Sequence, residues 1–169
     1  MKRTILILLT LISVQWTYSQ VDTISTIEAV HTAGMKMMNS FHEGDYNTFL
    51  DLTHSKIIEM SGGREKMKEM FKDGLGEDVK FLDVILNRPD KIIVKDSIIQ
   101  CSLEQRQEIE MDGKKFYIIG SLIGISYDLG RTWQFIGVAN NTLSNLKEYF
   151  PELDDDLQIK EQTLPILIE

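Results

Sequence analysis

Cysteine is almost missing from this chain. Cys101 is the only one in 169 residues, so no internal disulfide can form. Placed deep in an apolar strand segment, it reads as a small buried hydrophobe. Proline occurs three times, and neither repeats nor low-complexity runs are present. Basic residues are scarce, with 18 Lys plus Arg against 26 Asp plus Glu and a net charge of −8. That balance argues against nucleic acid or an anionic membrane as partner, because both need clustered Lys and Arg. The acidity itself serves solubility. No apolar run approaches the ~20 residues needed to span a bilayer.

The N-terminus reads as a secretory signal over residues 1–19. Lys2 and Arg3 precede an apolar run, Ile5 to Val14, broken only by Thr10 and Ser13. Thr17 and Ser19 then supply small side chains two residues apart, which suits cleavage before Gln20. The other reading is a retained anchor. Cleavage leaves 150 residues with 16 bases and 26 acids, a net charge of −10. The expected product is exported to the periplasm or beyond, with no membrane association. No cysteine near the cut is available for a lipid anchor.

The remaining chain divides into a helical half and a strand half, the pattern of an α+β domain over 20–150. Ile24, Ile27, His31, Gly34, Met38 and Phe41 recur at helical spacing and predict a helix over 23–42. Asp45 is placed to cap a short helix over 46–52, and Thr53 a further turn. Another helix follows over 64–72, stopped by Gly74 and Gly76. Strands are predicted over 79–86, 91–94, 97–111, 114–127 and 133–139, and a brief helix over 143–150. Residues 151–169 form an acidic tail, expected to pack loosely or stay mobile.

Asp112-Gly113 is a strong hairpin signal. As the turn it places Met111 opposite Lys114, and the ladder then pairs Ile109 with Phe116, Gln107 with Ile118, Gln105 with Gly120, Leu103 with Leu122 and Cys101 with Gly124. This mostly apolar face should receive the helices. The opposite face carries Glu104, Arg106, Glu108 and Glu110 and should meet water. Toward its other end Ile98, Ile123, Ile125 and Tyr127 make an apolar patch suited to homodimer pairing.

Gln105 and Gln107 interrupt the inner face beside Gly120. Two readings stand. In one they are polar anchors in an apolar pocket wall. In the other, simpler one the sheet bends at Gly120 and lets both amides reach solvent or backbone. Further pocket candidates are His31 on the helical stripe, Asp83 in phase with Phe81 and Ile85, and Tyr46. Each has a plainer role: a satisfied core histidine, an edge-strand charge, a packing ring.

No cofactor or metal is implied. The three histidines lack metal-ligand spacing, Gly62-Gly63 lacks the residues of a phosphate loop, and Asp154-Asp155-Asp156 lacks the alternation of a calcium loop. Met35, Met37, Met38, Met60, Met67 and Met70 crowd the helices, either as core filling or as an adaptable binding surface.

Two resemblances complete the reading. Ser126-Tyr127-Asp128-Leu129-Gly130-Arg131-Thr132-Trp133 matches the Asp-box, S-x-D-x-G-x-T-W, at every fixed position. That motif is known from sialidases and related propellers, once per blade. One copy here implies a structural turn built by Asp128, Gly130 and Trp133, with a carbohydrate contact conceivable only if the Trp133 ring is exposed. The order of elements, His42-Glu43-Gly44-Asp45-Tyr46 and Phe150-Pro151-Glu152-Leu153 resemble the NTF2-like, or cystatin-like cone, superfamily. Small exported bacterial members of that group have no assigned activity. The resemblance implies N-terminal helices packed on a curved antiparallel sheet. Enzymes of that superfamily use a carboxylate base and a tyrosine or acid in the cone, and neither is matched here by motif. The expected functions, in order, are a non-catalytic module binding a small molecule or protein partner, a homodimeric interaction protein, and an enzyme of isomerase, dehydratase or hydrolase type.

Overall fold

The computed structural model describes residues 22–74 and 79–168. The segment read as a secretory signal lies outside them.

Three of the four helices in the first half begin at a side chain that accepts an otherwise orphaned backbone N–H. Asp22 accepts from Ile24 at 3.1 Å and opens α1, Thr23–His42. Asp45 accepts from Thr48 and opens α2, Tyr46–Leu52. His54, not Thr53, caps α3, Ser55–Met60, through the Lys56 N–H. The Thr53 hydroxyl instead donates to Phe49 O. Gly62 and Gly63 both take positive φ before α4, Arg64–Gly74.

The strands are β1 Val79–Leu86, β2 Ile93–Lys95, β3 Ile98–Met111, β4 Lys114–Ser126, β5 Gln134–Gly137 and β6 Ile166–Leu167, with α5, Leu143–Tyr149, between the last two. They form one curved, unclosed antiparallel sheet in the order β1-β3-β4-β5, with β2 also on β3 and β6 also on β4. The protein is an α+β fold with its N-terminal helices packed on that sheet. Asp112 and Gly113 both adopt positive φ, as a two-residue turn of this twist requires. Every β3–β4 pair expected from that turn is present, from Met111–Lys114 to Cys101–Gly124.

Helix α1 lies close on the inner face. A Cβ at Gly34 would meet Leu86 Cδ2 at 2.6 Å, and one at Gly124 would meet Val30 Cγ2 at 2.8 Å. Two missing side chains thus set the helix-to-sheet distance. The buried face of α1 is Thr26, Val30, Gly34, Met37 and Met38. It is turned from the expected stripe at its start, where Ile24 is exposed. Val30, Met37, Met38, Leu86, Cys101, Leu103, Leu122, Trp133 and Phe135 form the inner core. Burial there pushes the Cys101 thiol up to about 12, so it stays protonated.

The outer face carries a second core, and the expectation of a loose tail is corrected. Phe150, Leu153 and Leu157 are buried against Ile123, Ile125, Ile136 and Val138, with Ile98 packed beside them. Within the apolar patch expected to serve homodimer pairing, Ile123 and Ile125 are thus covered by the chain itself, while Tyr127 stays exposed. Residues 151–168 continue along β4, where Lys160 N donates to Ser121 Oγ and Thr163 N to Ile119 O. The buried Gln100 side chain grips the segment from beneath, donating to Glu152 O at 2.7 Å and accepting from Asp154 N at 3.0 Å.

Candidate functional site

Between the helices and the inner sheet face lies a pocket of about 450 Å³. Its helical wall is Met37, Met38 and Phe41 of α1, Phe49 of α2, Ile57 of α3, and Met67 and Phe71 of α4. Its sheet wall is Phe81, Gln105, Gln107, Leu122 and Phe135, with Gly137 and Ala139 along one side. The volume falls in the range of small-molecule sites, and the wall is apolar with few polar groups.

Four phenylalanines from four elements organise this wall. Phe41 meets Phe49, Phe71 and Phe81 at centroid distances of 4.9, 5.3 and 5.3 Å. The last two contacts are edge-on, the arrangement favoured by ring quadrupoles. Gly137 pairs with Leu122 on the inner face. A Cβ there would meet nothing within 4 Å, so the glycine leaves space in the pocket.

Gln105 and Gln107 both line the pocket, and the Gln107 amide donates to Gln105 Oε1 at 3.4 Å. The Gln105 amide nitrogen lies over Gly120, 3.8 Å from where a Cβ would stand. The other three candidates do not join them. His31 Nε2 is 2.8 Å from Leu86 O, where it ties α1 to the end of β1. The turned phase of α1 takes its ring out of the inner core. Asp83 is exposed, because a bulge between Phe81 and Asp83 shifts the register. Phe81, Val84 and Leu86 therefore oppose inward residues, while Asp83 pairs with Glu108. Tyr46 stacks on Phe71 at 5.8 Å and stands outside the lining. His42 packs on Phe81, and burial lowers its pKa toward the neutral form. None of the described lining residues is ionisable.

The Asp-box is a closed turn. The Asp128 carboxylate accepts from Arg131 N, Thr132 N, Thr132 Oγ1 and Ser126 Oγ at 2.7–3.1 Å. Those bonds, led by the one from Thr132 N, hold it down at about 2. Gly130 has φ +86°, and the Trp133 ring is 5% exposed, within the inner core. A carbohydrate contact by that ring is thereby removed.

One polar constellation has no counterpart in the sequence reading. His54 Nδ1 accepts the Lys56 N–H, which leaves the proton on Nε2. Nε2 then donates to the Tyr127 hydroxyl at 2.9 Å, and that hydroxyl donates to Glu152 Oε1 at 2.9 Å. Desolvation lowers the His54 pKa; burial and Glu152 raise that of Tyr127. The chain of bonds joins the helical half, the hairpin and the C-terminal segment. Residues 54, 127 and 152 are too far apart in sequence for spacing to connect them.

No family model, curated protein or solved structure matches this chain. Among the described residues, no helix is long and apolar enough to cross a membrane.

Proposed function

We propose that this protein is an exported, non-catalytic binding module that holds a small apolar ligand between its N-terminal helices and the inner sheet face. The observation that carries the reading is the pocket itself: aromatic and methionine walls, two amides, and no acid, base or nucleophile pair among its described residues. A general acid or base must stand within hydrogen-bond reach of the reacting group, and His31, Asp83 and Tyr46 all lie outside the lining. The order of a long helix, short helices and a curved antiparallel sheet supports membership of the NTF2-like superfamily. The signal-like N-terminus supports export.

Thermal shift against a panel of neutral apolar compounds tests the function. A ligand at a hundredfold excess over its Kd stabilises the fold by about 2.7 kcal/mol, a rise of several degrees in Tm. Gly137→Phe fills the open space and should abolish the shift while leaving the protein folded. Absence of any shift across the panel, or an unchanged shift in Gly137→Phe, contradicts the proposal.

A further inference from the structure

Resting on that reading, we infer that the pocket selects an uncharged ligand: an apolar body ending in one head group that both donates and accepts a hydrogen bond, as an alcohol or a carboxamide does. The argument starts from what the lining offers. Its polar side chains are Thr53, Gln105 and Gln107. The Thr53 hydroxyl is already donated to Phe49 O at 2.9 Å. The two glutamines share one long bond of 3.4 Å. A pair of amides holds four N–H donors and two acceptor oxygens, and one mutual bond consumes one donor and one acceptor site. Whichever way each amide is turned, donor and acceptor capacity both remain beside Gly120.

An ion gains nothing comparable. A carboxylate or ammonium entering this wall loses hydration and meets no counter-charge, a loss the amides do not offset. An anion also meets an acidic protein, with a net charge of −8 over the full sequence. A pure hydrocarbon displaces water from both half-buried amides and offers them no hydrogen bond beyond the long one they share. The neutral donor–acceptor head is the one that satisfies the amides and keeps the body on the phenylalanines and methionines.

The test is calorimetric titration at pH 8 with four ten-carbon probes of equal chain: decanol, decanamide, decanoate and decylammonium, each below micelle formation. Decanol and decanamide should bind, with both ions weaker by about thirtyfold or more. In the Gln105→Leu/Gln107→Leu double variant, decanol and decanamide should weaken by about tenfold, with near-ultraviolet circular dichroism unchanged. Binding of either ion within threefold of decanol overturns the inference and leaves the pocket as a ligand site. An undiminished affinity for decanol in the double variant overturns it as well. If none of the four probes binds, the ligand-pocket reading falls with it.

Discussion

The two faces of the sheet solve the same problem differently. Both carry buried apolar residues interrupted by polar ones. On the outer face, Gln100 and Ser121 are each met by the backbone of the C-terminal segment. Ile123, Ile125, Phe150 and Leu153 are all at most 2% exposed. On the inner face, Gln105 and Gln107 meet chiefly each other, and the wall beside them opens into a pocket. A buried polar group without a partner costs about 1–3 kcal/mol. Gln100 and Ser121, both buried, are satisfied by the chain, whereas Gln105 and Gln107, half-buried, keep hydrogen-bonding capacity for another partner.

The largest test of the comparison removes the outer cover. Deleting residues 151–169 takes away Leu153 and Leu157 and bares Ile123 and Ile125. Each buried leucine contributes roughly 1.5–3 kcal/mol, so the loss should reach ~4 kcal/mol or more, enough to unfold a marginal domain. Urea unfolding measures it; a truncated chain of near-native stability would show that the segment is not part of the core.

A matched pair of glutamine variants sharpens the contrast. Gln100→Leu strands Glu152 O and Asp154 N and should cost about 2–4 kcal/mol. Gln107→Leu strands no backbone group and should change stability by less than about 1 kcal/mol in either direction. Equal costs in the two variants would erase the distinction between the two faces.

The smallest effect concerns His54, at the junction of the two halves. Its folded pKa is depressed by desolvation, so its contribution is complete above the unfolded value near 6.5. It is lost as pH falls from there through the folded value. Melting temperature should decline between pH 7 and 5, and the decline should be shallower in His54→Asn, where the charge cannot form. Parallel profiles for the two proteins would remove His54 from the account.

Much of this was legible where local chemistry decides. Asp112-Gly113 and strict alternation set the long hairpin to the residue, and Asp45, Gly62-Gly63 and the Asp-box marked turns that the fold keeps. The inner position of Gln105 and Gln107 followed from that register. What was not legible depends on tertiary contact. The bulge at Leu82 moved Asp83 out of phase, and nothing in the strand pattern announced it. The close approach at Gly34 and Gly124 set the rotation of α1, displacing His31. The aromatic wall draws on four elements at once. The C-terminal seal did leave a signal: Leu143, Leu146, Phe150, Leu153 and Leu157 recur at three- and four-residue steps. Pro151 and the run of three aspartates obscured it.

The most direct test uses methyl-labelled methionines and decanol. Met37, Met38 and Met67 line the pocket, whereas Met60 and Met70 are more than half exposed outside it. On titration, the first three methyl resonances should shift saturably and the last two should stay in place. Movement of Met60 and Met70 alone, or of none of the five at saturating decanol, would contradict a ligand held between the helices and the inner face of the sheet.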